Sequence, residues 1–305
     1  MTTTKSSEPR IPVICGPTAA GKTAVGVLLA QHFNAEIISA DSRQFYHEMS
    51  IGTAKPTEEE MCGIPHHFVD SHSIEKPLTA GEFERQGEKK IQEMLTRGKL
   101  PIVVGGSGLF IRSLIEGLDD LPSNEKLRQA LIEQYNQEGL NSLLARLKKV
   151  DPKAESQIDA KNQVRVMRAI ELVELSGKPL AAIRNQEKRK KPFQPVWIGI
   201  SPEREILYER INRRVDEMLK SGLVEEAKRL LEFNDSAPLK TVGYQELFDH
   251  FDGNYDYDEA VRLIKRNTRH FAKRQLTWFR KIDGIEWSSP FQIEAIIAHI
   301  ESRIG

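Results

Sequence analysis

Cysteine is nearly missing. Cys15 and Cys62 are the two present in 305 residues. That excludes a disulfide framework and the cysteine spacing of a structural zinc site, and it predicts a reducing, cytoplasmic compartment. Long apolar runs are missing too. None approaches the roughly 20 residues that a membrane-spanning helix needs. Residues 1–10 are polar with no apolar centre, so no signal peptide is expected there. Neither sign of charge is in excess, because 44 Lys and Arg face 44 Asp and Glu. The total charge therefore names no polyanionic partner, and any preference must come from how charge is distributed. Repeats and low-complexity segments are absent. The histidines His66, His67 and His72 lack matching carboxylates or cysteines at metal-ligand spacing and read as turn and core residues.

What is present begins with Gly16-Pro17-Thr18-Ala19-Ala20-Gly21-Lys22-Thr23, which fits the phosphate-loop spacing G-x-x-x-x-G-K-[ST] without a mismatch. Its flanks fit as well, with an apolar strand predicted over 11–15 and a helix over 24–32. Gly16 and Gly21 permit backbone conformations that a side chain would block. The loop amides then point at an anion, at the positive end of a helix dipole. Lys22 adds a full charge, and Thr23 offers a hydroxyl to a phosphate-bound Mg²⁺. A second strand over 36–41 ends at Asp41, and in open α/β sheets the strand ends face the ligand crevice. A short strand is predicted over 67–70. A helix over 79–97 follows, capped by Thr79, and a buried strand over 101–104 runs into Gly105-Gly106-Ser107-Gly108. Alternating strands and helices predict a parallel α/β sheet of the P-loop NTPase type.

Near Leu118 the character changes. Residues 124–176 show helical periods carried by Leu127, Leu131, Leu140, Leu143, Leu144 and Leu147, with no strand. Gly177 and Pro179 stop that pattern, and 184–191 is a basic run. The expected organisation is a catalytic core over 1–118 and 192–305, interrupted by an all-helical insertion over 119–191. A strand over 196–200 resumes the sheet. Ser201-Pro202 reads as a helix start with a capping hydroxyl, and helices are predicted over 203–233 and 257–280.

Three groupings could carry chemistry. Asp41, followed by Ser42, Arg43 and Gln44, could hold Mg²⁺ through water, take a proton from a nucleophile, or merely cap a turn. Residues 262–281 hold eight Lys or Arg and no acid. At helical spacing Arg262, Lys265, Arg266, Arg269, Lys273 and Arg280 share one face, and Val261, Ile264, Phe271, Trp278 and Phe279 another. With the 184–191 run and the pair Arg165 and Arg168, this makes three basic patches in a neutral protein and predicts a nucleic-acid partner. Finally, Ser107 follows a buried strand and could donate to a ligand, and one of Arg210, Arg213 and Arg214 could reach a diphosphate.

Several segments agree on one family. The phosphate loop, Ser39-Ala40-Asp41-Ser42-Arg43-Gln44-Phe45-Tyr46, Ile51-Gly52-Thr53-Ala54-Lys55-Pro56, Gly105-Gly106-Ser107-Gly108-Leu109-Phe110, Arg165-Val166-Met167-Arg168, Arg214-Val215-Asp216-Glu217, Val242-Gly243-Tyr244-Gln245 and 268–280 span nearly the whole chain in order. On these the chain resembles the tRNA dimethylallyltransferases, bacterial type, since no C-terminal zinc finger follows. The resemblance implies that the loop residues Gly16 to Thr23, with Arg214, hold the diphosphate of dimethylallyl diphosphate rather than a nucleotide. It implies Mg²⁺ near Thr23, and Asp41 orienting and deprotonating N6 of adenosine 37 beside the anticodon, with Lys22 and Thr23 as its catalytic partners. It also places tRNA against Asp41, Ser42, Arg43, Gln44, Ser107, Arg128, Val164, Arg165, Val166, Met167 and Arg168. The basic helix adds Arg269, Lys273 and Arg280. A monomer binding the tRNA anticodon stem-loop, with no membrane, is expected. Ala20, Ser107 and Phe110 depart from the family's usual residues. Ser107 keeps a hydroxyl but loses a methyl. The rival readings are an adenylate isopentenyltransferase, a P-loop small-molecule kinase or NTPase, and a non-catalytic RNA-binding protein.

Overall fold

The computed structural model describes residues 8–118, 122–184 and 190–304, with no account of the Arg184 side chain. Two compact units are present, Met1–Ile115 with Lys191–Gly305, and Glu116–Lys190.

The first unit is built on β1 (Arg10–Cys15), β2 (Ala35–Ser39), β3 (His66–His67), β4 (Leu100–Gly105), β5 (Gln194–Ile200) and β6 (Glu286–Ser288). They form one sheet in the order β3-β2-β4-β1-β5-β6, and every ladder is parallel. Side chains alternate between its faces. Ile11, Val13 and Cys15 of β1 join Val103 and Trp197 in one apolar cluster. Ile14 joins Ile102, Val104, Ile198 and Ile200 in the other. Both faces are covered, which is why these strands read as continuous apolar runs.

Under the first face sits a knot of phenylalanines. Phe45 stacks on Phe83 at 5.3 Å between ring centres, and Phe110 meets both edge-on at 5.3 and 5.5 Å. Such pairs are worth about 0.5–1.5 kcal/mol beyond the area they bury. The helix Ala80–Thr96 brings Phe83 here, and its start is fixed by a reciprocal cap between Thr79 and Glu82.

The structure corrects several local expectations. The strand predicted over 67–70 is the two-residue β3, because Phe68 and Asp70 turn the chain at φ 69° and 54°. Ser201 does not cap a helix. Its amide donates to Ser288 O at 3.0 Å, extending the pairing with β6, and the helix begins at Arg204 without a side-chain cap. The edge strand β6 was not foreseen. Lys191, expected in a basic patch, is buried against Glu84 at 2.6 Å and Glu88 at 2.9 Å. Residues 185–189 of that run lie outside the described residues. His67 serves structure, pairing with Glu36 at 2.7 Å.

The second unit is helical, with Glu125–Glu138, Leu140–Val150, Gln163–Ser176 and Leu180–Arg184. Leu131, Leu143, Leu147, Val166 and Ile170 form its core. Glu171, almost fully buried, accepts from Asn124 N at 3.0 Å, Arg128 at 3.2 Å and Arg168 at 2.5 Å. Burial pushes its carboxyl up, but these donors outweigh it and the net direction is down. Two expected tRNA contacts therefore spend charge inside the unit, Arg128 and Arg168. Val166 is fully buried and offers no side chain to a partner. Met167 packs against the same core. Val164 and Arg165 are exposed, with Asp159 3.8 Å from Arg165.

Burial pushes the Cys15 thiol up to about 12 despite the opposing charge of Lys22, whereas Cys62 is exposed. Thiol labelling of the native protein at pH 8 is expected to modify Cys62 alone, with Cys15 reacting only after denaturation. Two equivalents in the native state would contradict this packing.

Candidate active site

The phosphate loop leaves the carboxyl end of β1 and enters the helix Lys22–His32. Gly16 has φ +146°, and a Cβ there would lie 2.3 Å from Ile200 O. Gly21, at φ +98°, is left-handed at the helix N-terminus. Ala20 N donates to Pro17 O at 3.3 Å. Lys22 folds back over the loop and donates from Nζ to Pro17 O at 2.7 Å. Burial lowers its pKa to about 8; Asp41 and Cys15 oppose the shift and Arg214 adds to it.

Three further loops close on this one. Asp41 lies two residues past β2, and its Oδ1 accepts from Arg43 N at 3.2 Å. The Asp41 loop is tied to the turn after β4, where Ser107 N donates to Ala40 O at 3.2 Å. Ser107 Oγ in turn accepts from Ser42 N at 2.9 Å and bonds the Ser42 hydroxyl at 2.9 Å. The third is the turn at 50–53. Glu226 accepts there from Ser50 N at 3.0 Å, Ile51 N at 2.9 Å and Gly52 N at 2.9 Å, and from the Tyr244 hydroxyl at 2.6 Å.

Two cavities open between these loops. One, of about 520 Å³, is lined by Gly21, Lys22, Thr23, Lys55 and Val104. The other, of about 560 Å³, is lined by Ser107, Phe110, Phe271, Trp278 and the segment Lys240 to Gly243. Thr18, Asp41, Thr53, Arg214 and Met218 line both. A group bound to the loop and a flat, partly apolar group in the larger cavity would therefore meet at Asp41.

Of the three arginines weighed from sequence, Arg214 faces the site. Burial pulls its pKa down against the attraction of Glu60, Asp41 and Glu217. Arg213 lies 3.6 Å from Glu217, and Arg210 donates to Ala20 O at 3.2 Å. Arg43 and Gln44 are not free donors. Arg43 Nη1 bonds Ala237 O at 3.0 Å, and the Gln44 amide bonds Thr53 O and Ala54 O at 3.2 and 3.0 Å. Both brace the site's walls.

The basic face of the helix Tyr257–Phe279 also needs correction. Arg262 pairs with Glu259 at 2.6 Å, Lys265 with Asp216 at 2.6 Å, and Arg269 donates to Asn212 at 2.6 Å. Lys273 and Arg280 are exposed, and among the described residues no ion pair engages them. Phe271, placed by its spacing on the apolar face of that helix, is 37% exposed and lines the larger cavity. Sequence reasoning gave no site role to Gln275, Glu226 or the segment from Lys240 to Gln245, although 242–245 and 268–280 were among the segments that carried the resemblance. Gln275 also carried a physical signal, as an amide on the buried side of an amphipathic helix.

Among the described residues, no three His, Cys, Asp or Glu side chains group to hold a metal. Thr23 and Asp41 both line the smaller cavity. One hydroxyl and one carboxylate are too few for a protein-only site, but they suit an ion that keeps water and phosphate oxygens as its other ligands, as Mg²⁺ does.

A parallel sheet with its phosphate loop after the first strand, and cavities at the carboxyl ends of the central strands, defines a P-loop NTPase-like fold. Residues 44–282 match the IPP transferase family, and the chain belongs to that family. A tRNA dimethylallyltransferase of Cytophaga hutchinsonii is 47% identical over 293 residues, 96% of each chain. One of Christiangramia forsetii is 43% identical over 96% of this chain and 97% of its own. Among solved structures, the full-length tRNA isopentenylpyrophosphate transferase of Bacillus halodurans superimposes with TM-score 0.73 at 39% identity, covering 98% of this chain and 97% of its own. A eukaryotic dimethylallyltransferase acting on tRNA gives TM-score 0.79 at 26% identity, over 97% of this chain and 77% of its own.

Lys22 is uncharged in a growing fraction of the ligand-free protein as pH rises through about 8. Affinity for inorganic diphosphate is therefore expected to fall over that range. Calorimetry from pH 7 to 9.5 would show it, and Lys22→Met should bind weakly with the fall gone. A wild-type affinity that is flat through pH 9 would count against Lys22 as the anion's partner.

Proposed function

We propose that this chain transfers the dimethylallyl group of dimethylallyl diphosphate to N6 of adenosine 37 in tRNA, releasing diphosphate. The observation that carries this reading is that Asp41 and Arg214 line both cavities. A phosphate loop opens into one cavity, and aromatic and aliphatic side chains line the other.

In this reading the loop amides from Gly16 to Thr23, with Lys22 and Arg214, hold the diphosphate and stabilise the charge that grows on it as the allylic C–O bond breaks. Thr23 would hold Mg²⁺, which when bound would supply further neutralisation of the leaving group. The target adenine leaves its stack to enter the larger cavity. There Asp41 orients the exocyclic amine. N6 bonds to the allylic carbon, the C–O bond breaks toward diphosphate, and the N6 proton passes to Asp41. Ser42 and Ser107 hold the walls that face the RNA. Arg165 and Val164 on the helical unit, and Lys273 and Arg280 on the core, are the exposed expected contacts. Arg128, Arg168, Val166 and Met167 act by building the unit that presents them. The enzyme works as a cytoplasmic monomer.

Protein mixed with Mg²⁺, labelled dimethylallyl diphosphate and either unmodified tRNA or AMP is expected to label tRNA alone, with no ATP turnover. Label in AMP would favour a free-nucleotide enzyme, and ATP turnover without prenyl transfer a kinase or NTPase. Asp41→Ala is expected to lower transfer by about 10²–10⁴-fold while tRNA still binds; near-normal turnover would remove its role as proton acceptor. Charge reversal at Lys273 or Arg280 should weaken tRNA binding and reduce the salt slope by about 1. Reversal at Lys265, already paired with Asp216, should change the slope less.

A further inference from the structure

Gln275 projects from the helix Tyr257–Phe279 into the centre of the site and is 8% exposed. Its Oε1 accepts from Thr18 N at 2.8 Å, and its Nε2 donates to Gly106 O at 2.9 Å. One amide thus bridges the loop after β1 and the turn after β4, the sheet's adjacent central strands. The approach is close enough that a side chain at residue 106 would displace the amide. A Cβ there would lie 2.5 Å from Gln275 Nε2 and 3.5 Å from Lys22 Nζ. The amide and the lysine therefore occupy neighbouring space, yet the lysine gives its hydrogen bond to Pro17 O.

The choice of an amide has a chemical consequence. A side chain at this position must accept from Thr18 and donate to Gly106, and a neutral amide does both. A carboxylate of the same shape could accept but not donate, and it would put a negative charge beside Lys22. That charge would compete with any anion seated on the loop. An apolar side chain would leave Lys22 alone but release the Thr18 amide. The same helix also sends Phe271 and Trp278 into the larger cavity. The element that walls the acceptor side thereby fixes the donor side.

We propose that Gln275 is a positioning residue that locks the phosphate loop to the Gly106 turn while staying neutral, so that Lys22 remains available to an incoming diphosphate. As applied to dimethylallyl diphosphate the inference rests on the function proposed above. Its anion-binding part does not.

The test compares wild type with Gln275→Glu and Gln275→Met, each checked for a native melting transition. Inorganic diphosphate with Mg²⁺ is the binding probe, alongside transfer kinetics and hydrogen exchange at the Thr18 amide. Gln275→Glu is expected to weaken diphosphate binding and raise KM for dimethylallyl diphosphate at least about tenfold, leaving KM for tRNA within about twofold. Gln275→Met should keep more of the diphosphate affinity than Gln275→Glu, lower kcat and speed exchange at Thr18. Folded variants with wild-type diphosphate affinity and unchanged Thr18 exchange would overturn the proposal. If Gln275→Glu does not fold, unchanged exchange and kcat in Gln275→Met suffice to overturn it. Wild type that binds diphosphate but transfers nothing to tRNA would instead refute the function, leaving the positioning role to be judged by the binding and exchange results.

Discussion

A half-buried lysine on the cavity wall, with no carboxylate in contact among the described residues, is the constraint on which this site depends. Lys22 donates to a carbonyl, Pro17 O, and Asp41 acts on it only through the longer-range field. Removing an ammonium from water without a paired anion is costly. Under the proposed function that cost would be offset when a diphosphate arrives. The surroundings must then hold the loop in a conformation that a flexible segment would not keep alone. Gly16 fits against Ile200 O, and Arg210 grips Ala20 O. Gln275 secures Thr18.

The same logic explains why so many polar side chains near the cavities bond to backbone. Gln44 spans Thr53 and Ala54, Arg43 reaches Ala237, and Ser107 supports Ser42. Four loops from four parts of the chain converge, and loops carry many backbone groups with no partner of their own. Side-chain amides, hydroxyls and a guanidinium supply those partners. The result is preorganisation: the reacting groups need little rearrangement when the substrates enter.

What could be read from the sequence was what depends on nearby residues. The phosphate loop, the strand-end position of Asp41 and the Thr79 cap are set by spacing of a few residues, and each stands where it was expected. The helical nature of 124–176 follows from leucine periodicity in the same way. What could not be read depends on partners far along the chain. Lys265 looked like a free cation until Asp216 met it, and Lys191 belonged to a basic run until Glu84 and Glu88 enclosed it. The bonds of Gln275 to Thr18 and Gly106 have no local signature beyond one amide on a buried face. Ser201-Pro202 had the chemistry of a helix start, but a long-range ladder with β6 took the serine amide first.

The grip of Glu226 on the 50–53 turn carries one more consequence. Three successive amides turned toward one point form a concave cradle able to hold any small anion. In this protein that cradle is closed from within by Glu226 and sealed by the Tyr244 hydroxyl. The chain thus fills one of its backbone receptors for negative charge with its own carboxylate, so under the proposed function a phosphate-bearing ligand would meet a single address. Opening the second, by replacing Glu226 with a neutral residue, would create a decoy beside the true site.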